Sequence, residues 1–330
     1  MNQSFWEERS ELQKLVKNVA PTSFDKVADL VFDFQVRHNS VFRAYLSSVR
    51  YSQGHHLSKF LPISAFKHHA VCTGHDGFTG FFESSATSGQ GLSKSHYRAL
   101  DWYHDHSKMI FEAQYGDISD ACILALLPHY LERSNSSLVS MVQAFIGISK
   151  DKESGFYLYD HQKLSETILE KEKAGVPIIL FGVTFALLDF AEAYPMAASK
   201  LTIIETGGMK GRGVELTKEE LHARLQAAFP SSIIGSEYGM TELTSQAYSL
   251  KDQEFELPST MRISISELSD PFTPEQIGKA GILHIIDLAN IDTCAWIRTE
   301  DVGLMLPNGR FKILGRLDHS EARGCSLMVV

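Results

Sequence analysis

Between residues 177 and 236 the chain alternates short apolar runs with stretches of helical composition. Pro177–Gly182 (PIILFG), Lys200–Thr206 (KLTIIET) and Ser231–Ser236 (SSIIGS) have the composition of buried strands. Ala186–Ala193 and Thr217–Ala228 have the composition of helices, the second with a threonine at its N-cap. Apolar strands that alternate with helices form a mostly parallel sheet that is covered on both faces. The pattern therefore predicts an α/β fold.

The segments on either side of this region have different patterns. The N-terminal part carries apolar residues at helical spacing, as in Leu12 and Leu15, and predicts a layer of helices. After about residue 255 the helical pattern stops. Four short strands are expected at Met261–Ile265, Ala280–Leu288, Ala295–Thr299 and Phe311–Leu314. Asn308-Gly309, between the last two, is a hairpin signal. We expect a helical layer at 1–75, an α/β core at 76–255, and a β-rich part at 256–330. This last part would be a small β-barrel or distorted sheet that packs on the core as one unit.

The composition is that of an ordinary globular protein, with 44% hydrophobic and 22% charged residues. Lys and Arg number 31 and Asp and Glu 40, which gives a net charge of −9. Sequence-independent binding of nucleic acid depends on a basic surface, so we expect no nucleic-acid partner. We find neither a signal peptide nor an apolar run of about 18 residues, the length of a membrane span. The four cysteines form no C-x-x-C pair, which argues against a zinc ribbon, and we expect a cytoplasmic protein.

The first candidate binding site is a loop of small residues, Thr87–Lys94 (TSGQGLSK). Its glycines, Gly89 and Gly91, allow backbone N–H groups to approach an anion, and Lys94 adds a positive charge. We expect a helix from about Ser95 to Gln114, whose N-terminus would favour the same anion. A plain turn rich in glycine and serine is the alternative, since the Walker A pattern G-x-x-x-x-G-K-[ST] is absent.

Further polar residues follow the predicted strands. Gly207-Gly208 comes after KLTIIET, at the end where open α/β sheets bind ligands. Tyr238–Glu242 (YGMTE) follows SSIIGS and supplies an aromatic face, a hydroxyl and a carboxylate that could hold Mg²⁺. Asp301, at the end of the run WIRTED, could accept hydrogen bonds from two ribose hydroxyls. Gly315–Asp318 (GRLD) completes the set.

The order of these motifs is more specific than any one of them. A hydroxyl and glycine loop, Gly-Gly, Y-G-x-T-E, R-T-x-D and G-R-x-D follow one another over roughly residues 80 to 325. In this order they resemble the adenylate-forming superfamily of acyl-CoA synthetases and firefly-type luciferases. The resemblance implies the fold of that superfamily's N-terminal domain, with ATP and Mg²⁺ as the cofactors of a carboxylate-activating ligase.

The resemblance also implies a role for each matching residue. The phosphates of the nucleotide would be bound by Thr87, Ser88, Gly89, Gln90, Gly91 and Lys94, with Thr241 at the α-phosphate. The adenine would be surrounded by Gly207, Gly208, Glu237, Tyr238, Gly239 and Met240. Asp301 and Arg316 would bind the ribose. Glu242 would hold Mg²⁺. Lys94 and Thr241 would be catalytic, because they offset the repulsion between a carboxylate and a phosphate.

Three segments resemble a narrower group, the acyl-protein synthetases of bacterial luminescence systems. They are Leu61–His69, Leu126–Leu138 and Gly315–Leu327. Enzymes of this group activate a fatty acid with ATP, carry it as a thioester on their own cysteine, and pass it to a partner reductase. The resemblance implies that Cys325 is the acylated cysteine, and we expect His129 to orient the carboxylate of the substrate.

The chain departs from the superfamily's pattern in several places. The phosphate loop is one residue shorter, with Gln90 at a hydroxyl position and Ser93 at the position of a proline, and Glu300 replaces the glycine of R-T-G-D. Few residues follow Gly315–Asp318, so we expect the superfamily's C-terminal domain to be absent, as in the acyl-protein synthetases. Two alternatives stay open: a ligase that loads an acyl carrier protein, and a degenerate enzyme that serves as a docking subunit for an acyl reductase or a carrier protein.

Overall fold

The structure is a computed structural model that describes residues 3–49, 56–84, 91–128, 135–207 and 216–317. In these ranges the helices are α1 (Gln3–Lys17), α2 (Phe24–His38), α3 (Ser40–Ser48), α4 (Ala65–His68), α5 (Leu100–Tyr115), α6 (Ser137–Ile148), α7 (His161–Ala174), α8 (Thr184–Ala193) and α9 (Lys218–Ala228). The strands are β1 (Leu61–Pro62), β2 (Gly80–Glu83), β3 (Lys94–Tyr97), β4 (Cys122–Leu126), β5 (Gly155–Phe156), β6 (Ile178–Gly182), β7 (Leu201–Thr206), β8 (Ile233–Tyr238), β9 (Ala247–Ser249), β10 (Met261–Ser266), β11 (Gly281–Asp287), β12 (Trp296–Met305) and β13 (Phe311–Arg316).

The central sheet has six strands in the order β5-β4-β6-β7-β8-β9, all parallel except β9. Every residue of β4 and β6 is buried, as expected for strands in a sheet that is covered on both faces. Helices α5 to α9 share one hydrophobic core with this sheet, which includes Phe111, Phe181 and Phe190 and is called the central core below. The strands predicted as PIILFG, KLTIIET and SSIIGS are confirmed as β6, β7 and β8.

Local sequence determines where α9 begins and where α7 ends. Thr217 caps α9 by accepting a hydrogen bond from the Glu220 N–H at 3.2 Å, while the Glu220 carboxylate accepts one from the Thr217 N–H at 3.0 Å. Helix α7 ends at Gly175, whose φ of 72° lies in the left-handed region that glycine favours. None of the helices in the described ranges has both the length and the apolar composition that crossing a bilayer requires.

The second sheet has the order β1-β12-β11-β10, with β13 also paired to β12. Of the two forms predicted for the β-rich part, the described strands adopt the distorted sheet. Their hydrogen-bonded order does not close on itself, and the register shifts in the pairs β11–β12 and β12–β13. The hairpin predicted at Asn308-Gly309 is confirmed: β12 and β13 are antiparallel, and Gly309 has a φ of 82° in the connecting turn.

The N-terminal helices pack on the second sheet. Helices α1, α2 and α3 share a hydrophobic core with its strands, called the second core below, in which the Trp296 ring meets Phe32 edge to face at 5.0 Å. Arg9 of α1 reinforces the contact by pairing with Asp292 at 2.6 Å, and Arg98, between β3 and α5, pairs with the same carboxylate at 2.7 Å. The predicted helical layer is therefore present, and the division of the chain into three segments stays a prediction.

The helix predicted from about Ser95 begins later than expected. Strand β3 pairs antiparallel with β2 and places Lys94 opposite Glu83, and α5 starts only at Leu100. Aromatic residues such as Phe82 favour paired strands, and the pairing of β2 with β3 outweighs the local helical pattern. The expectation that a helix N-terminus follows Lys94 is wrong, and the loop connects two strands of a hairpin.

Candidate functional site

The predicted nucleotide-binding residues lie at the carboxyl edge of the central sheet. Strands β7 and β8 are parallel, so their ends lie side by side, with Thr206 opposite Glu237. Gly207 follows with a φ of 76°, a conformation that glycine adopts without strain. Its carbonyl accepts a hydrogen bond from the Thr184 hydroxyl at 2.5 Å. The turn after β7 thus leaves the sheet at the edge where ligands of α/β folds bind.

A hydrogen-bonded bridge joins this edge to the second sheet. The Tyr238 hydroxyl donates to Asp301 Oδ2 at 2.8 Å, and Arg316 Nε lies 3.4 Å from Asp301 Oδ1. Asp301 and Arg316 face each other on β12 and β13, and the Tyr238 ring packs edge-on against Phe255 and Phe311. The Tyr238–Asp301–Arg316 bridge therefore brings together three residues that the sequence assigns to the nucleotide.

Burial controls the protonation of this bridge. It raises the pKa of the Asp301 carboxyl, while Arg316 and the Tyr238 hydroxyl oppose that rise. Burial, followed by the nearby Asp301 carboxylate, also raises the pKa of the Tyr238 hydroxyl well above its ordinary value, so this group stays a hydrogen-bond donor. The side chain of Arg316 is 54% exposed. The bridge thus offers a ligand an acceptor and a cation at one edge.

Glu242 is buried, with 5% of its surface exposed, and burial raises the pKa of its carboxyl. A hydrogen bond with the Ser93 hydroxyl and the charge of Arg316 oppose the rise. Ser93 is the residue that replaces the superfamily's proline, and the structure places it against Glu242. The contact joins the end of the predicted phosphate loop to the YGMTE motif.

Glu242 is a single buried carboxylate at the predicted magnesium site. In the part of the chain that the structure describes, no group of three His, Cys, Asp or Glu side chains could hold a metal. Mg²⁺ usually binds proteins through one or two carboxylates and takes its other ligands from phosphates and water. Glu242 supplies one such carboxylate, and its role as the magnesium ligand stays a prediction.

Hydrogen bonds connect Ser84, which precedes the predicted phosphate loop, to Ser93 near the end of that loop. The Ser84 N–H donates to the Ser93 carbonyl at 3.0 Å, and the Ser93 N–H donates to Ser84 Oγ at 2.9 Å. Lys94 follows, with Nζ 3.5 Å from Glu83 Oε1 and 4.5 Å from the centre of the Phe81 ring. Both charged groups of this ion pair are partly exposed, so it contributes little to stability. It holds the ammonium group of Lys94 at the base of the loop.

Residues that the sequence analysis missed hold the turn that carries Glu242. Asp287 accepts hydrogen bonds from the N–H groups of Thr244 and Ser245, both at 2.8 Å, and from the Ser245 hydroxyl at 2.6 Å. The Asn290 amide donates to the Glu242 carbonyl at 2.8 Å. Both residues stand in IIDLAN, at the end of the buried strand β11. Polar residues at the end of an apolar run are a signal that could have identified them.

The residues of the YGMTE region divide between two faces of the central sheet. Neighbours on a strand point to opposite faces, so Glu237 faces away from the bridge that Tyr238 makes. The Thr206 hydroxyl donates to Glu237 Oε2 at 2.7 Å. A Cβ at position 239 would collide with Glu237 Oε1, so the end of the Glu237 side chain lies against Gly239. Met240 Sδ lies 3.9 Å from the Tyr238 hydroxyl, on the side of the bridge.

Thr241 lines a cavity of about 30 Å³, together with His96, Tyr97, Trp102 and Tyr103.

A Cβ at Gly91 would be 3.9 Å from the Lys67 carbonyl oxygen, an ordinary contact, so a side chain would fit at this position. The remaining predicted residues lie outside the described ranges, and their roles stay predictions: Thr87, Ser88, Gly89, Gln90, His129, Gly208 and Cys325.

Comparison with solved structures yields matches of one fold. ATP-bound MatB from Rhodopseudomonas palustris matches with a TM-score of 0.54 and 14% identity, over 74% of this chain and 49% of that chain. MenE from Bacillus subtilis, an O-succinylbenzoate coenzyme A synthetase in complex with ATP and magnesium, matches with a TM-score of 0.52 and 16% identity, over 72% of this chain and 49% of that chain. The amide bond synthetase McbA from Marinactinospora thermotolerans matches with a TM-score of 0.51 and 15% identity, over 74% of this chain and 50% of that chain. The chain thus spans about half the length of these structures.

No family model and no curated protein matches the sequence. At these identities the structural matches establish the fold. They cover about 74% of the chain, which confirms the predicted fold class. The chain therefore has the fold of the N-terminal domain of the adenylate-forming acyl-CoA synthetases.

Proposed function

We propose that the protein activates a fatty carboxylic acid with ATP and then transfers the acyl group to the thiol of Cys325. From this cysteine the acyl group passes to a partner such as an acyl reductase, and the reaction takes place in the cytoplasm. The observation that carries the proposal is the Tyr238–Asp301–Arg316 bridge beside the buried Glu242. The fold shared with ATP-bound ligases supports activation of a carboxylate in general. The finer steps follow from the resemblance to the acyl-protein synthetases.

In the first step a carboxylate oxygen of the acid attacks the α-phosphorus of ATP, and the bond to the β-phosphate breaks to release pyrophosphate. The obstacle is repulsion between two anions, which fixed positive charge and hydrogen-bond donors offset. Lys94, at the base of the phosphate loop, would contact the phosphates, and the Thr241 hydroxyl would donate to the α-phosphate. Glu242 would hold Mg²⁺, which neutralises phosphate charge when it is bound.

The rest of the nucleotide would lie along the edge between the two sheets. Asp301 would accept hydrogen bonds from the ribose hydroxyls, with Arg316 beside it. The Tyr238 ring and the backbone at Gly207 and Gly208 would border the adenine. The hydrogen bond from Tyr238 holds the Asp301 carboxylate in place before the ligand arrives.

In the second step the Cys325 thiolate attacks the acyl carbonyl, the bond to the phosphate of AMP breaks, and a thioester forms. The thiolate is the nucleophilic form of cysteine, and a neighbouring arginine such as Arg323 favours it. Both residues lie outside the described ranges, so this step depends on the sequence.

Pyrophosphate release in the presence of a fatty acid, ATP and Mg²⁺ tests the proposal. We expect release that depends on the acid, together with an acyl group bound to the protein itself. A ligase that loads a carrier protein would release pyrophosphate but label only an added carrier protein. A docking subunit without activity would release none, and that result would overturn the proposal.

Asp301→Ala is expected to weaken ATP binding at least about tenfold. Hydrogen bonds to a charged acceptor are worth about 1.5–3 kcal/mol each, and about 1.4 kcal/mol corresponds to a tenfold change in affinity. Isothermal titration with ATP measures the effect, with Glu300→Ala as the control at the neighbouring position. Equal ATP affinity in the wild type and Asp301→Ala would place the ribose elsewhere.

A further inference from the structure

We infer that Asn290 is a positioning residue for adenylate formation, which holds the turn of Thr241 and Glu242 at the α-phosphate. The inference rests on the proposed function, which assigns Thr241 to the α-phosphate and Glu242 to the metal, and it adds a residue that acts through both. What carries it is a set of hydrogen bonds that join one buried amide to the backbone around that turn.

Thr241 and Glu242 are the two central residues of a β-turn. The Leu243 N–H donates to the Met240 carbonyl at 3.1 Å, and this hydrogen bond closes the turn. A turn of four residues has several backbone conformations, and the closing bond alone does not select one of them. Contacts from outside the turn therefore determine where the Thr241 hydroxyl and the Glu242 carboxylate point.

The side chain of Asn290 supplies such contacts. Its amide nitrogen donates to the Glu242 carbonyl at 2.8 Å and to the Cys294 carbonyl at 3.2 Å. Its amide oxygen accepts hydrogen bonds from the N–H and the hydroxyl of Thr244, at 2.8 and 2.6 Å. Because a backbone N–H can only donate, the Thr244 N–H determines which end of the amide is the oxygen. Asn290 thus binds the chain on both sides of Leu243.

This arrangement requires an asparagine. An amide has two N–H donors and two oxygen lone pairs, and Asn290, which is buried, uses all four. Ionised aspartate has the same shape but no donor, so its carboxylate would repel the Glu242 carbonyl. Glutamine has the same groups on a side chain that is longer by one methylene. The match between side chain and partners therefore indicates a defined position for the turn.

The backbone of Asn290 is held by the N-terminal helices. Gln35 on α2 is fully buried, and its amide nitrogen donates to the Asn290 carbonyl at 2.8 Å. Its amide oxygen accepts a hydrogen bond from the Ala295 N–H at 2.9 Å. Both bonds hold the segment that connects β11 to β12. Asn290 therefore has a support that does not depend on the turn it binds.

The position of Asn290 predicts an effect on rate more than on nucleotide binding. Asn290 lines the cavity of about 30 Å³ that Thr241 also lines. Displacement of a reacting group by about 1 Å can lower a rate about 10²-fold. The ribose would still bind at the Tyr238–Asp301–Arg316 bridge, which Asn290 does not support through any hydrogen bond among the described residues.

The test measures adenylation and ATP binding separately in Asn290→Ala. We expect the kcat of pyrophosphate release to fall about ten- to hundredfold, while the Kd of ATP, from isothermal titration without acid, stays within about threefold of the wild-type value. Asn290→Asp keeps the shape and the acceptor but not the donor, and should show the same loss of kcat. Thr244→Val removes only the hydroxyl bond to Asn290. It is the milder variant, in case the other two do not fold, and should lower kcat about threefold or more.

Asn39→Ala is the matched control. Asn39 is also a buried amide, and it binds the same segment, because its nitrogen donates to the Thr293 carbonyl at 2.9 Å. Its oxygen accepts from the Phe42 N–H at 2.9 Å, at the start of α3 and not in the turn. Asn39→Ala should therefore lower the free energy of unfolding in urea, as Asn290→Ala does, and keep the wild-type kcat.

Three results would overturn the inference in a wild type that releases pyrophosphate. The first is an unchanged kcat in every folded variant of Asn290 and Thr244. The second is an equal loss of kcat in Asn39→Ala and Asn290→Ala, which would show that the segment has a structural role only. The third is a parallel loss of ATP affinity and kcat in Asn290→Ala, which would assign the residue to nucleotide binding. A wild type that releases no pyrophosphate would instead contradict the proposed function.

Discussion

Replacement of Cys325 by serine is expected to abolish covalent labelling of the protein by a radioactive fatty acid and ATP, while pyrophosphate release continues. The reason is that adenylation uses the nucleotide site, whereas thioester formation needs the thiol that the resemblance places at Cys325. The label on the wild-type protein should be removed by hydroxylamine, which cleaves thioesters. Gel electrophoresis under denaturing conditions measures the label, and a pyrophosphate assay on the same samples measures adenylation.

The other cysteines are poor competitors for the acyl group. Burial raises the pKa of Cys72 to about 11 and the pKa values of Cys122 and Cys294 to about 12, so all three stay thiols at neutral pH. Cys72 is partly exposed and the other two are buried, so Cys72→Ser is the matched control and should keep the label. Labelling that survives in Cys325→Ser, or a thioester on another cysteine, would contradict the assignment.

Glu242→Gln is expected to lower the rate of adenylate formation by two orders of magnitude or more, the range seen when one preorganised electrostatic group is removed from an active site, about 10²–10³. Glutamine keeps the shape of the side chain and its contact with Ser93 but cannot carry the charge that balances Mg²⁺. The rate is measured as pyrophosphate release at saturating acid and ATP over a series of Mg²⁺ concentrations. If the variant needs a higher Mg²⁺ concentration to reach its maximal rate, Glu242 acts by binding the metal.

Folding should be unaffected by this change. Because burial raises the pKa of Glu242, the carboxyl is harder to ionise in the folded state than in the unfolded chain, and its charge at neutral pH destabilises the fold. Removing the charge should therefore leave the free energy of unfolding unchanged or slightly increased, as urea denaturation would show. Glu256→Gln, at an exposed position, is the control and should keep full activity. Near wild-type activity in Glu242→Gln would exclude it as the magnesium ligand.

The central sheet could be predicted from the sequence because its strands are buried on both faces and are apolar almost throughout. Strands whose bounds depend on pairing with another strand could not be predicted in this way. Strand β12 extends to Met305 because it pairs with β13, so Asp301 lies within the strand, opposite Arg316, and not after it. Strand β3 replaces the start of the predicted helix because it pairs with β2. Local composition does not record such pairings.

The motifs identified most of the candidate site but not what supports it. The order of the motifs brought Tyr238, Asp301 and Arg316 into one hypothesis, and the structure places them in contact. The pairing of strands determines the face to which Glu237 points. Contacts between the two sheets allow Asp287 to bind the turn that carries Glu242 through hydrogen bonds. Such contacts join residues that are distant in the sequence, and no local pattern indicates them.

The second core has a consequence for the order in which the molecule can fold. Leu61 of β1 pairs with Ile297 of β12, and the N-terminal helices bury Phe34 and Phe42 against strands from the other end of the chain. During synthesis the first helices leave the ribosome long before these strands exist, so their apolar faces stay exposed to solvent and to other chains. Pairing across such a long loop is also slow, because chain entropy is lost before any contact forms. The nascent chain therefore exposes an aggregation-prone apolar surface until β10 to β12 are made.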